Sequence, residues 1–256
     1  MDLRRVVRLL NQYCSPHLAD TWDNVGLLVQ PYTPPTVSRA LVTNDLTEPV
    51  LSEAEEMGAN LIVSYHPPIF SPLKRITNSH WKERLVSACL EKGIAVYSPH
   101  TGLDAKVDRL HEGYGRIGCL KTPMSLAEVL QAYKSLFGLN HLILALGYGK
   151  RLDEPVSTIA VCAGSGSSIL NGKTSAQIAD VFVTGEMSHH DRLDAVSRGI
   201  SVIIAGHSNT ERGFLATRFV PEFQKVLDHE TCTGDTDISS VIVSISQADN
   251  EPGVVF

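Results

Sequence analysis

The chain has 256 residues, 43% of them apolar, and a net charge of −6 from 22 basic and 28 acidic side chains. That length suffices to bury a substantial core in one large domain or in two compact lobes. The negative balance, with no basic run, argues against direct nucleic-acid binding, and no stretch approaches the ~20 apolar residues that span a bilayer.

Asp2 can cap a first helix in which Leu3, Val6, Val7 and Leu10 share a face. Short apolar runs then alternate with helical patterns. Residues 40–43 read as a strand, 49–57 as a helix, 60–65 as a strand and 81–92 as a helix that Gly93 stops, with 94–97 the next strand. In the second half, Ser125-Leu-Ala-Glu128 is a capping box opening a helix that ends near Gly138. Strands follow at 142–146, 158–162 and 180–184, a helix at 188–198, a strand at 201–205, a helix at 211–227 and a closing strand at 241–245. The alternation predicts an α/β fold with largely parallel sheets. A break in periodicity over Gly113–Pro123 divides it into an N-terminal lobe, 1–116, and a C-terminal lobe, 117–256.

Five scattered cysteines (Cys14, Cys89, Cys119, Cys162, Cys232), odd in number and without C-x-x-C spacing, argue against a disulfide framework or a cysteine zinc site. The N-terminus shows neither an apolar h-region nor an Arg/Ser-rich presequence, so the cytoplasm is the expected compartment.

His66, His100 and His207 each follow an apolar strand. In α/β folds the carboxyl ends of parallel strands form the ligand crevice. Any one of these histidines has a bland alternative as a hydrogen-bonded structural residue. His100 and His207 also carry an acid four residues on, Asp104 and Glu211, within one helical turn. Imidazole with carboxylate is a donor set for Zn, Mn, Fe, Ni or Co. The competing readings are a helix cap for Asp104 and a first-turn acid for Glu211. Glu186, His189 and His190, in Thr184-Gly-Glu-Met-Ser-His-His190, are candidate catalytic proton carriers or ligand neighbours; if Ser188 merely caps a helix, the two histidines are first-turn surface residues. The Gly/Ser turn Cys162–Ser168 lacks the P-loop pattern, so it reads as a tight turn ahead of a phosphate cradle, and Trp22–Leu27 lines a cleft or shapes a turn. Neither G-x-S-x-G nor G-x-G-x-x-G occurs.

The blocks Trp22-Asp-Asn-Val-Gly-Leu-Leu28, Leu61-Ile-Val-Ser-Tyr-His-Pro-Pro-Ile-Phe70, Ser98-Pro-His-Thr-Gly-Leu-Asp104, Thr184–Asp191 and Gly206-His-Ser-Asn-Thr-Glu-Arg-Gly213 span nearly the whole chain. In that order they resemble the Nif-three-like family, which includes the YbgI-type proteins and members named as a second type of GTP cyclohydrolase I. The Tyr-His-Pro-Pro and His-Ser-Asn-Thr-Glu versions resemble its eukaryotic branch. The resemblance implies two α/β lobes with a dinuclear metal site in the cleft between them and a homo-oligomer. It carries the metal-ligand roles onto His66, Asp104, His207 and Glu211, with Glu211 the bridge.

Two departures stand out. Tyr65 occupies a place where many bacterial relatives have histidine, which predicts one tightly held ion and a weak second site. The segment after Asp104, Ala105–Leu110 running into His111–Arg116, is shorter than the family pattern. Two functional expectations follow from the resemblance. One is a metal-dependent hydrolase of a small nucleotide-like substrate, holding up to two divalent ions. The other is an interaction protein whose partners are transcriptional regulators, cytoplasmic and also nuclear, with structural or vestigial metals.

Overall fold

The computed structural model describes residues 1–105, 114–172, 179–233 and 240–253. The altered segment after Asp104 lies mostly outside the described residues. The chain divides into two units: Met1–Gly113 with Phe214–Asn250, and Tyr114–Gly213 with Glu251–Phe256. The expected split was a single cut after residue 116. Here the chain crosses again near 213, returning its last long helix and last strand to the first unit.

In the first unit α1 (Leu3–Tyr13) is capped by Asp2, whose carboxylate accepts the Arg5 amide. There follow β1 (Gly26–Val29), β2 (Arg39–Thr43), α2 (Glu48–Glu56), β3 (Leu61–Ser64), α3 (Trp81–Glu91), β4 (Ala95–Ser98) and the short α4 (His100–Asp104). The returning segment supplies helix and strand beyond residue 214. The sheet order is β1-β4-β3-β2-β10, where β10 is Ile242–Ile245; all neighbours are parallel except the β1–β4 pair. Strand β10, expected to close the second sheet, pairs instead with β2.

Alternation along the strands makes this a three-layer unit. Ala40, Val42, Leu61, Val63, Ala95 and Tyr97 face the layer of α1 and the returning helix. Leu41, Ile62 and Val96 face α2 and α3. Both faces are covered, so these strands read as continuous apolar runs.

In the second unit the sheet order is β5-β7-β8-β9-β6. Its strands are β5 (Arg116–Ser125), β6 (Ile143–Ala145), β7 (Pro155–Ser165), β8 (Val181–Glu186) and β9 (Ser201–Ile204). The central three are parallel, and β5 and β6 are antiparallel edges. Helix α5 (Leu126–Phe137) has the expected capping box, and Gly138 ends it at φ 66°. It covers one sheet face; α6 (Ser167–Leu170) and α7 (His189–Ser197) cover the other. Helix α8 (Asn209–Phe214) runs into a π-helical turn, Leu215–Phe219, and then α9 (Val220–Thr233). Leu215, Phe219, Phe223 and Leu227 recur every fourth residue and are all buried in the first unit's core.

The cysteines are all free thiols. No described helix is long and apolar enough to cross a membrane.

Candidate metal centre

In each unit the chemistry-bearing side chains gather where parallel strands end. On the first unit the β2–β3 ladder continues past both strands, with the Tyr65 and His66 amides donating to the Thr43 and Asn44 carbonyls at 2.9 Å each. This holds Asn44, Asp45, Tyr65 and His66 side by side at one sheet end. The His66 Nδ1 lies 2.9 Å from Asp45 Oδ1. A carboxylate on Nδ1 fixes the orientation of the imidazole, the usual support for a metal-ligating histidine.

His100 opens α4 at φ 30°, the one described non-glycine residue with positive φ, a strained conformation that clusters at functional sites. Its Nδ1 donates to Asp23 Oδ1 at 2.8 Å, and the Asp23 side chain is fully buried. Burial raises the Asp23 pKa, but hydrogen bonds from Thr101 and His100 and the nearby His100 charge outweigh it. The carboxyl is held below its ordinary range. The Tyr65 and His66 rings each meet His100 edge to face at centroid distances of 5.5 Å and lie tilted to one another at 5.0 Å. Trp22 and Phe70 flank His100 from the exposed side. Asp104 closes α4, and its Oδ1 accepts the Tyr65 hydroxyl at 2.5 Å.

On the second unit His207 lies beyond β9 and Glu211 in the first turn of α8. The expected i, i+4 pairing is present, with His207 Nε2 3.3 Å from Glu211 Oε1. Glu186, at the end of β8, approaches the other ring nitrogen at 3.2 Å. The hydrogen bond to Glu211 is the largest influence on His207. With the two carboxylate charges and the Glu186 bond it overcomes the desolvation that would lower the pKa, and pushes it up to about 9. Glu211 is buried, 7% exposed.

Gly164, at the end of β7, makes room for the pair. A Cβ there would stand 2.3 Å from Glu211 Oε1 and 3.1 Å from His207 Nε2, and its φ is 62°. The Thr210 hydroxyl accepts the Gly164 amide and donates to the His207 carbonyl, tying this turn to α8.

His189 and His190 stand exposed on the first turn of α7, packed on each other, behind a Ser188 cap that accepts the Asp191 amide. The sequence missed Asp23 and Asp45 as partners of the histidines.

In the second unit the His207 imidazole and the buried Glu211 carboxylate form a candidate donor pair for a metal ion. Imidazole nitrogens with a buried carboxylate, beside a position where a Cβ does not fit, suit a divalent ion. Asp104, on the first unit, accepts a hydrogen bond from the Tyr65 hydroxyl.

Residues 1–245 match the model of the family described as Duf34/NIF3 (NGG1p interacting factor 3). A Drosophila melanogaster protein named NIF3-like protein 1 is 39% identical, over 98% of this chain and 88% of its own length. The Saccharomyces cerevisiae NGG1-interacting factor 3 is 30% identical, over 84% of this chain and 88% of its own. The crystal structure of a Bacillus cereus protein related to NIF3 superposes with a TM-score of 0.84, at 19% identity, covering 100% of this chain and 99% of that one.

Proposed function

Because the chain belongs to the Duf34/NIF3 family, we propose that it binds a divalent metal and uses it to hydrolyse a small, polar, nucleotide-like substrate. The proposed ligands are His66, Asp104, His207 and Glu211. The observation that carries this reading is the His207–Glu211 pair, a buried carboxylate held against an imidazole with no Cβ opposite. A divalent ion, when bound, supplies Lewis acidity and lowers the pKa of water toward ~7.

The chain's own residues do the rest. Asp45 fixes the His66 ring, and Glu186 fixes the His207 ring. For proton transfer the candidates are Glu186, His189 and His190. Glu186 has the geometric support, being in contact with a proposed ligand, whereas the two histidines face solvent. A single tight ion is proposed, with Tyr65 in place of a second adjacent imidazole.

A second reading, favoured by the name of the yeast relative, is a protein that binds a transcriptional regulator, with the metal structural. Elemental analysis of protein purified without chelator or tag-derived nickel, followed by a hydrolase substrate panel, separates the two. Bound metal with turnover supports the enzyme reading, and bound metal without turnover on any substrate supports the second. Glu211→Gln is expected to lose far more metal than His189→Ala; equal retention overturns the ligand assignment. Sizing the same preparations tests the homo-oligomer that the resemblance implies.

A further inference from the structure

The geometry points to Trp22 and Phe70 as a stacking platform for a planar heteroaromatic ring, the base of the nucleotide-like substrate. The assignment rests on that reading of the substrate, and the residues that carry it all lie in the first unit.

Both side chains stand in solvent, Trp22 59% exposed and Phe70 46%. Scattered apolar side chains on a surface are ordinary. These two are in contact, with ring centroids 6.1 Å apart and planes tilted by 57°. Each also meets the His100 ring near a right angle, at 6.3 and 6.5 Å. Rings from three separate segments thus gather at one point: the turn before β1, the loop after β3 and the start of α4.

The backbone under the pair is pinned. The Asn24 side-chain amide donates to the Ile69 carbonyl, which ties the segment of Trp22 to that of Phe70. The fully buried Asp23 carboxylate accepts the Thr101 amide at 3.2 Å and the Thr101 hydroxyl, and lies 2.8 Å from His100 Nδ1. Exposed rings on such a frame are organised before a ligand arrives, so less freedom is lost when one binds.

The surroundings select the ligand. From His100 the ring contacts run on to Tyr65 and His66, and His66 meets Asp45 at 2.9 Å. An aromatic wall therefore borders hydrogen-bonding groups at the carboxyl ends of parallel strands, the combination that small-molecule sites use. A nucleotide offers a flat face to the wall and polar atoms to its neighbours. An aliphatic ligand would bury area there without stacking. Every base has a π-face, so the platform fixes a flat ring and leaves the choice of base to other contacts.

Trp22 is its own reporter, because the chain has 2 tryptophans and Trp81 is the other. The test titrates Trp81→Phe protein with purine and pyrimidine nucleoside monophosphates, and with ribose 5-phosphate, which lacks the ring. The nucleotides are expected to quench the Trp22 fluorescence saturably, and ribose 5-phosphate to leave it unchanged. Calorimetric titration of the same nucleotides is expected to show affinity falling roughly 5–150-fold from wild type to Trp22→Leu or Phe70→Leu, the worth of one base–aromatic contact. The wild-type titration needs no variant to fold. Equal quenching by ribose 5-phosphate, no saturable response to any nucleotide, or unchanged affinity in both leucine variants overturns the assignment. So does a change of oligomeric state in Trp22→Leu, measured by sizing, while nucleotides leave the fluorescence unmoved, since a second copy then covers the pair. Saturable quenching without turnover upholds the platform and removes the hydrolase reading. Turnover whose KM is unmoved by Trp22→Leu does the reverse.

Discussion

Replacing Glu211 by Gln in metal-free protein isolates the charge that most perturbs the second unit. Glu211 contributes the largest upward influence on His207, a hydrogen bond, and a favourable charge besides. Together with Glu186 it moves the imidazole from an ordinary 6.5 up to about 9. A shift of that size corresponds to at most ~3–4 kcal/mol of preference for the protonated folded state. His207 is 31% exposed and Glu186 60% exposed, so solvent screening reduces the usable part to about 1–2 kcal/mol. The folded pKa is raised. The stabilisation is therefore fully present below the unfolded value near ~6.5 and is lost as pH rises through about 9. Thermal melts of chelated wild type and Glu211→Gln are expected to differ by ~2–8 °C at neutral pH, with the gap closing toward ~pH 10. The His207 ring-proton resonance, followed by NMR, is expected to titrate at lower pH in the variant. A melting gap that stays constant across this window, or an unmoved His207 titration, refutes the account of the pair.

Gly164→Ala is expected to cost ~1–2 kcal/mol from placing a Cβ at φ 62°, and also to displace the Glu211 carboxylate and reduce metal content. Gly138→Ala, at φ 66° with nothing within 4 Å, is the control: similar melting loss, full metal content. Metal loss in both variants would remove the steric argument. Glu53 accepts bonds from the Ser246 hydroxyl and the Gln247 and Ala248 amides. Its burial raises the pKa, but these bonds outweigh it and hold the carboxyl below its ordinary range. The contribution is therefore present above the unfolded value near ~4.5 and lost as pH falls through the depressed one. Glu53→Gln is expected to lower the melting temperature at neutral pH and to converge with wild type in acid; parallel curves throughout would contradict it. Phe219→Ala, deleting a fully buried ring of the π-helical turn, is expected to cost ~3–5 kcal/mol in denaturant unfolding, and a loss below ~1 kcal/mol would mean the core collapses around it.

What could be read from the sequence was what is encoded locally. The Asp2 cap, the Ser125–Glu128 box and the helix stop at Gly138 appear where side-chain chemistry and spacing put them. The central parallel strands were visible because burial on both faces demands continuous apolar runs. Two edge strands were not. Strand β5 is largely solvent-exposed, contains Gly118 and Pro123, and breaks register between Cys119 and Met124, so it read as a boundary. Strand β1, four residues after a turn-like Trp-Asp-Asn, gave too little pattern to register. The pairing of β10 with β2 has no local signature at all.

The site divides in the same way. The strand-end histidines and the acid one turn after His207 could be seen from spacing. The contacts that orient the first unit's donors join residues 21, 77 and 39 positions apart: His66 with Asp45, His100 with Asp23, and Tyr65 with Asp104. Only the folded sheet brings such pairs together.

The return of β10 to β2 also sets the order in which the chain can mature on the ribosome. Until β10 emerges, β2 is the outermost strand of an unfinished sheet, with its hydrogen-bonding edge open. Its partner lies roughly 200 residues downstream, on the order of 10–40 s of synthesis. The second unit's main stretch, Tyr114–Gly213, is continuous and can close its own sheet during that wait. The nascent first unit is then a template for any extended segment that meets β2 before β10 does. Slowed translation between residues 214 and 242 should lengthen that exposure and raise the demand for chaperones.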